Sequence, residues 1–283
     1  DFTLGNIFFQ QEKFDQAVSA YQVAADKHPK FLRAWRNLGL IYARQGRHEK
    51  ALSALSRVIE LGGNDATTHG LLGYAYSAVG NHLSAESAFH MAILLDPDTI
   101  DWKTGLLRSF FNQQRFNDTI TLSKQLLENH PEKADLWQLQ ARSYEGIEKP
   151  LKAAEIYELL DNLGASTAAS LNALGDIYLE QDLYELAVDS YLRAMSRQLL
   201  PDPGSFIDVA KKLAAEGAYR QTEKLIEYLE SSYADLLDKS HLQDLQKLNA
   251  RLALANGSAD KQQVQLLTQI VEHDPLDGNA LIL

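Results

Sequence analysis

Aromatic residues recur every 34 positions along this chain. Starting from Tyr42 and Tyr76, the same step in both directions meets an aromatic residue at six consecutive positions, although aromatics make up only 9% of the 283 residues. A fixed period of this length indicates a repeat architecture, in which each repeat is one supersecondary unit. Three series of residues, called ladders below, follow this step of 34. They are the aromatic ladder Phe8, Tyr42, Tyr76, Phe110, Tyr144 and Tyr178; the small-residue ladder Ala17, Ala51, Ala85, Thr119, Ala153 and Ala187; and a third ladder of Tyr21, Leu55, Phe89, Ser123, Tyr157 and Tyr191.

Within one repeat the apolar residues follow steps of three and four, which is the period of an amphipathic helix. Gly46 separates two such stripes, and glycine there suits a helix end with positive φ. Proline near the end of the repeat stops the second helix. Each repeat is therefore predicted to be two short helices joined by a tight turn. In the second repeat the stripes are Trp35, Leu38 and Tyr42, then Ala51, Leu55 and Val58.

This pattern resembles the tetratricopeptide repeat, in which Trp, Leu-Gly, Tyr, Gly, Ala, an aromatic, Ala and Pro recur over 34 residues. The resemblance implies an all-α fold, a right-handed α-solenoid superhelix of antiparallel helix pairs. It also implies a scaffold without catalytic activity. The residues that carry it are Trp35, Leu38, Gly39, Tyr42, Gly46, Ala51, Leu55 and Val58 in the second repeat, and Leu72, Gly73, Tyr76, Gly80, Ala85, Phe89, Ala92 and Pro97 in the third.

The register predicts one solenoid over residues 1–283. Its fourth repeat departs from the pattern, with Leu107, Thr119 and Ser123 where Gly, Ala and an aromatic are usual. Extra residues in 199–206 and 231–245 predict longer or differently tilted helices in the last two repeats, and both ends look cut from a longer array. The predicted repeats are 1–31, 32–65, 66–99, 100–133, 134–167, 168–202, 203–242 and 243–276, with 277–283 opening a further, truncated repeat.

Composition excludes several classes of protein. The formal net charge of −11 argues against nucleic-acid binding, which needs surplus Lys and Arg. The absence of cysteine excludes disulfides and thiolate metal sites. No apolar run approaches 18 residues, so direct membrane insertion is not expected.

Catalytic motifs are also missing from the sequence. It has no GxSxG elbow, no phosphate-binding loop ending in Gly-Lys-Ser/Thr, and no HExxH. The eight histidines are dispersed, and although His82 and His90 could share a helix face, no third ligand accompanies them. We therefore expect no enzyme activity, no metal and no cofactor.

The resemblance implies that the first helix of each pair lines a concave groove. Five arginines occupy inner positions of this acidic chain, and two of them, Arg108 and Arg142, hold the same position in successive repeats and should lie side by side. Arginine with aromatic residues suits an extended peptide that bears acidic groups or a free carboxylate. Alternatively, the arginines cover apolar neighbours or pair with local acids. The predicted groove residues are Asn6, Phe9, Arg33, Arg36, Asn37, Arg44, Tyr74, Arg108, Phe111 and Arg142.

A known mode of the family, the grip on a C-terminal carboxylate, is only partly present. Asn6 and Asn37 match its two asparagines, but Phe2, Thr67 and Leu71 stand where its cationic residues belong. The complete clamp is therefore not expected here.

Three functional hypotheses remain at this point. The first is a non-enzymatic scaffold or adaptor that binds a segment of a protein partner in the groove. The second is the recognition arm of a larger bacterial envelope machine, for polysaccharide export or for secretion or pilus assembly, or of an enzyme whose catalytic domain lies outside residues 1–283. The third is self-association through the ends of the array. The lack of cysteine and the Gln/Asn/Ser-rich surface favour a bacterial periplasmic protein over a cytoplasmic one.

Overall fold

The computed structural model describes residues 1–197 and 202–273. Within this part of the chain the regular secondary structure is helical throughout and forms sixteen α-helices. Within each unit, most helices that follow one another in sequence pack against each other. The all-α class and the helix-pair design predicted from the 34-residue period are thus confirmed. The chain divides into two compact units, Asp1–Lys149 and Pro150–Leu283.

Unit 1 contains four complete helix pairs and one further helix. The first helices of its pairs begin at residues 2, 32, 66, 100 and 134, so the helices reproduce the period of the sequence. In order, the helices are α1 (Phe2–Gln10), α2 (Phe14–Lys27), α3 (Leu32–Arg44), α4 (His48–Glu60), α5 (Ala66–Ala78), α6 (His82–Leu95), α7 (Ile100–Asn112), α8 (Phe116–Asn129) and α9 (Ala134–Gly146).

Unit 2 begins between the two helices of the predicted repeat 134–167. Its helix α15 spans 17 residues and starts at Lys239, four residues before the predicted repeat start of 243, because Asp238 and His241 form a capping box there. The helices are α10 (Pro150–Asn162), α11 (Ala168–Glu180), α12 (Tyr184–Ser196), α13 (Pro203–Ala215), α14 (Tyr219–Ser232), a 3₁₀ turn (Ala234–Leu236), α15 (Lys239–Ala255) and α16 (Lys261–His273).

Two parts of the predicted register lie outside the described residues. The first is residues 198–201, which include the start of the segment 199–206. The second is residues 274–283, which include the predicted opening of a further repeat. That a single solenoid runs through residues 1–283 stays a prediction.

The small-residue ladder lies on the buried faces of the second helices. All six members are fully buried: Ala17, Ala51, Ala85, Thr119, Ala153 and Ala187. A complementary small position on the first helix receives a large side chain from the second. A Cβ atom added at Gly73 would stand only 2.7 Å from the ring of Phe89, and Gly39 faces Leu55 in the same way. The large side chain therefore needs the small residue opposite it.

In the fourth pair the two sizes are exchanged. The register places Leu107 where glycine stands in four other pairs and Ala141 in the fifth, and it places Ser123 where the large side chain stands. Both residues are fully buried. Ser123 Oγ donates to the carbonyl oxygen of Ile120 at 3.0 Å and accepts a hydrogen bond from Gln140 Nε2 at 3.1 Å. The departure from the repeat pattern thus places the large residue on the first helix and a small, hydrogen-bonded residue on the second.

The turn inside each pair requires a left-handed backbone at one register position. Its φ lies between 56° and 78° in the first six repeats, and only two of these six residues are glycine. A side chain in this conformation costs roughly 1–2 kcal/mol. The six residues are Glu12, Gly46, Gly80, Gln114, Glu148 and Asp182.

A cluster of ion pairs joins α10 to α12 in unit 2. The Arg193 guanidinium contacts both Glu158 and Asp161, and Arg197 Nη2 lies 2.7 Å from Asp161 Oδ1. Burial acts to raise the pKa of the Asp161 carboxyl, but hydrogen bonds from Ser166 and Arg193 and the charges of both arginines outweigh it, so this pKa is lowered. Burial and the Glu158 carboxylate raise the pKa of Tyr178 to about 12. The cluster thus contains an ionised Asp161 and a protonated Tyr178 at neutral pH.

The strained turn gives the first prediction. We expect Gln114→Gly to raise the free energy of unfolding by about 0.5–1 kcal/mol, because glycine adopts positive φ without steric cost. Gly80→Ala should lower it by about 1 kcal/mol, since no heavy atom lies within 4 Å of an added Cβ there and only the backbone conformation is at issue. Thermal midpoints followed by circular dichroism measure both changes. Gln114→Ala, which keeps the Cβ, is the control; a gain in stability equal to that of Gln114→Gly would contradict this explanation.

The ion-pair cluster gives a prediction about pH. Because the pKa of Asp161 is lower in the folded protein, its contribution is complete above the unfolded value of about 3.9 and is lost as pH falls through the folded value. We expect Arg193→Met to cost about 2 kcal/mol at pH 7, and this difference from wild type should shrink between pH 4 and pH 2 in urea titrations. The control is Arg57→Met, which removes the exposed pair of Arg57 with Glu60 and should cost less than about 0.5 kcal/mol. A difference that stays constant on acidification would contradict the assignment.

Candidate protein-interaction surface

The ten predicted groove residues all lie on first helices of unit 1. We call this set the first-helix surface. Asn6 and Phe9 come from α1, four residues from α3, Tyr74 from α5, two from α7, and Arg142 from α9. The 34-residue period places them there, because the first helix of every pair occupies the same part of its repeat.

The two asparagines of this surface contact each other and a buried tyrosine. Asn6 Oδ1 accepts hydrogen bonds from the Tyr21 hydroxyl at 2.7 Å and from Asn37 Nδ2 at 3.3 Å. Burial raises the pKa of Tyr21, so its hydroxyl remains a donor. The asparagines therefore link the first two helix pairs.

Two of the five arginines are bound to acids at the start of the next first helix. Arg36 pairs with Asp65, which also caps α5 by accepting from the Thr68 amide at 3.1 Å. Arg108 Nη2 lies 3.3 Å from Asp135 Oδ2 in the first turn of α9. For these two residues the structure fits the alternative interpretation, in which the arginines pair with local acids.

The other three arginines lie on aromatic rings. Their guanidinium carbons are 5.3 Å, 4.8 Å and 4.7 Å from the centroids of the rings. Among the described residues Arg33 and Arg142 form no ion pair, and the nearest carboxylate to Arg44 is that of Glu12 at 4.0 Å. A ring binds one face of a guanidinium and leaves its N–H groups at the edge available. The pairs are Arg33 with Phe2, Arg44 with Phe14, and Arg142 with Phe111.

The aromatic members of the surface are held in fixed positions. Tyr74 is 40% exposed, its hydroxyl donates to the carbonyl oxygen of Asp101 at 2.9 Å, and its ring meets Phe89 edge-on. Burial and the Asp101 carboxylate raise the pKa of Tyr74, while Arg108 acts in the opposite direction. Tyr74 is therefore a neutral, partly exposed ring at pH 7.

Only part of the predicted set is brought into direct contact. Asn6 touches Asn37, and Arg142 lies on Phe111, but Arg108 and Arg142 have different partners despite their shared register position. That they lie side by side stays a prediction. Phe9 packs edge-on against Phe14, which is itself covered by Arg44.

Sequence reasoning missed the carboxylates that bind two of these arginines. Asp101 and Asp135 hold one register position, at the first turn of a first helix, where an acid favours the helix dipole. Asp65 stands one residue before α5 as its N-cap. Acids at the starts of the first helices were the signal that could have identified the structural arginines.

The described residues offer no site for metal chemistry and no membrane-spanning helix. Within residues 1–197 and 202–273, no three His, Asp or Glu side chains are grouped to hold a metal ion. In the same ranges no helix combines the length and apolar character needed to cross a bilayer. What this surface can do chemically is bind polar and anionic groups.

The sequence matches known family models in two places. Residues 2–66 and residues 170–203 each match a tetratricopeptide repeat model. With the helix pairs described above, these matches show that the chain contains tetratricopeptide repeats. Proteins built from this repeat serve as scaffolds for protein interactions and are typically non-catalytic.

Solved structures resemble the fold at low identity. A tetratricopeptide repeat protein from Parabacteroides merdae matches with a TM-score of 0.49 and 21% identity, over 69% of this chain and 77% of the other. MamA matches with 0.52 and 18%, over 65% and 93%. The structure of Naa15/Naa10 bound to HypK-THB matches with 0.52 and 16%, over 99% of this chain but only 42% of the other. No protein of curated function matches the chain. At these identities the likeness concerns the fold alone.

The two kinds of arginine give a stability prediction. We expect Arg36→Met to lower the free energy of unfolding by roughly 1 kcal/mol, because it leaves the helix-capping Asp65 without its cation. Arg33→Met should change it by less than about 0.5 kcal/mol, since methionine can still cover Phe2. Urea titration of both variants measures the difference. An equal loss for the two would contradict the division into structural and available arginines.

Proposed function

We propose that the first-helix surface of unit 1 binds an extended, acidic segment of a partner protein. The observation that carries the proposal is the state of Arg33, Arg44 and Arg142, whose guanidinium groups rest on rings rather than on close carboxylates. An acidic peptide would supply the missing partners.

The rings make these arginines suitable for binding. Contact with a ring restricts the long side chain before the partner arrives, so less conformational entropy is lost on binding. Each guanidinium can then form charge-assisted hydrogen bonds to a carboxylate. Tyr74 adds a partly exposed, fixed ring of the kind that anchors a partner's apolar side chain.

Two of the three arginines elsewhere in unit 1 are less available, while the third, Arg47, lies on the ring of Tyr42. Arg57 on α4 pairs with Glu60 at 2.7 Å. Arg115, just before α8, pairs with Glu86 at 2.8 Å and with Asp118 at 2.7 Å. This contrast favours the first-helix surface as the place where an anionic segment binds.

Fluorescence anisotropy with two defined probes tests the proposal. One labelled ten-residue peptide alternates Glu with Phe, and the other places Lys at the same positions. We expect the wild-type protein to prefer the Glu peptide, with affinity falling as salt rises. The double variant Arg33→Glu, Arg44→Glu should bind it at least tenfold more weakly, because two attractions become repulsions.

The matched control is Lys50→Glu with Lys124→Glu, the same change of charge on second helices α4 and α8. It should retain affinity within about twofold, and all variants should keep the helical circular dichroism of wild type. Equal binding of the two peptides, or an equal loss in the control variant, would refute the proposal. The roles in a bacterial envelope machine or beside a catalytic domain, and the periplasmic location, stay predictions from the sequence.

A further inference from the structure

Helix α6 exposes apolar side chains on its outer side. Leu83 is 70% exposed, Leu94 is 75% exposed and Met91 is 38% exposed. At about 100° per residue these three and Ser87 fall within about 80° of each other around the helix. The opposite side carries Ala85, Phe89 and Ala92, all fully buried. We call the exposed residues Leu83, Ser87, Met91 and Leu94 the α6 stripe.

The 34-residue register supplies an internal comparison for this stripe. Its three apolar positions are polar or charged in both neighbouring second helices, as expected for a surface in water. In α10 two of the three are leucine and the third is asparagine. The equivalents are Glu49, Arg57 and Glu60 in α4; Asn117, Gln125 and Glu128 in α8; and Leu151, Leu159 and Asn162 in α10.

A groove continues the apolar surface toward α4. It has a volume of about 640 Å³, with α5 as its floor and the side chains of α4 and α6 along its edges. Ile59, Leu72 and Tyr76 face it together with Met91. Exposed apolar area of this kind is favourably removed from water, at about 25 cal/mol per Å².

We propose that the α6 stripe binds a second copy of this chain, with the two α6 helices antiparallel about a two-fold axis at Ser87. On α6 itself, Leu83 and Met91 stand four residues to either side of that position. An antiparallel copy therefore sets Leu83 against Met91, and the small Ser87 lets the helices approach at the axis.

Charges at the two ends of the stripe favour the same arrangement. Arg47, Glu49 and Lys50 line a pocket together with Val79 in the turn before α6, so this end of the stripe carries a net positive charge. Asp96 and Asp98 follow Leu95, so the other end is acidic, and it coincides with the negative end of the helix dipole. The two-fold operation places each basic end on an acidic end. A parallel arrangement would place like charges together.

The cysteine-free sequence permits a direct test of the register. We expect Ser87→Cys to form a disulfide-linked dimer under mild oxidation, because the axis brings residue 87 next to its own copy. The matched control is Ser53→Cys, one repeat earlier on α4. Both serines are exposed and each donates to the carbonyl oxygen four residues back, Ser53 to Glu49 and Ser87 to Leu83. Ser53→Cys should remain uncrosslinked. Equal crosslinking of the two variants would overturn the proposal.

Sedimentation equilibrium tests the dimer itself. Wild-type protein should show a concentration-dependent dimer, and Leu83→Glu with Leu94→Glu should weaken it at least hundredfold while the helical circular dichroism is unchanged. Leu151→Glu, at an equivalent position in α10, should leave the dimer intact. A wild-type protein that stays monomeric up to several hundred micromolar would overturn the proposal, as would a dimer that survives in the double variant. Loss of a different protein's binding on Leu83→Glu, with wild type monomeric, would assign the stripe to that protein instead and also overturn it.

Discussion

The contact between a small residue on one helix and a large side chain on its partner is the interaction on which the rest of this structure depends. Gly73 against Phe89 is the clearest case, because an added Cβ would come within 2.7 Å of the ring. Close approach of the two helices accompanies complete burial of the small-residue ladder. In the fourth pair the register puts the large residue, Leu107, on the first helix and the small one, Ser123, on the second, and both are fully buried.

Most of the fold could be predicted from the sequence, since helix pairs at a fixed period leave the same residue types at the same steps. The starts of α3, α5, α7 and α9 coincide with the predicted repeat starts to the residue. The start of α15 does not, because a 3₁₀ turn and the Asp238 capping box follow no repeat pattern. The sizes exchanged in the fourth pair were visible in the sequence, but only the structure shows that both residues are fully buried.

The candidate site could be predicted only in part. Periodicity identified which residues belong to the first helices, and all ten predicted residues lie there. It could not tell what each arginine touches, because each partner comes from a neighbouring repeat, between 27 and 32 residues away. Arg36 and Arg108 meet carboxylates, whereas Arg33 and Arg142 meet rings. The same residue type therefore holds the pairs together at two positions and remains available at others, and residue identity alone does not distinguish them.

The turn geometry has a consequence for the order in which the chain folds. In unit 1 the second and third pairs close with Gly46 and Gly80, while their neighbours close with Glu12 and Gln114 in the same left-handed conformation. A glycine turn forms without the steric penalty, so closing these two adjacent pairs costs less free energy than closing their neighbours. Because growth of a repeat array depends on contacts between neighbouring repeats, folding is favoured to begin at these two pairs. Nucleation in the middle of unit 1 and extension toward both of its ends is the pathway that this uneven distribution of strain favours.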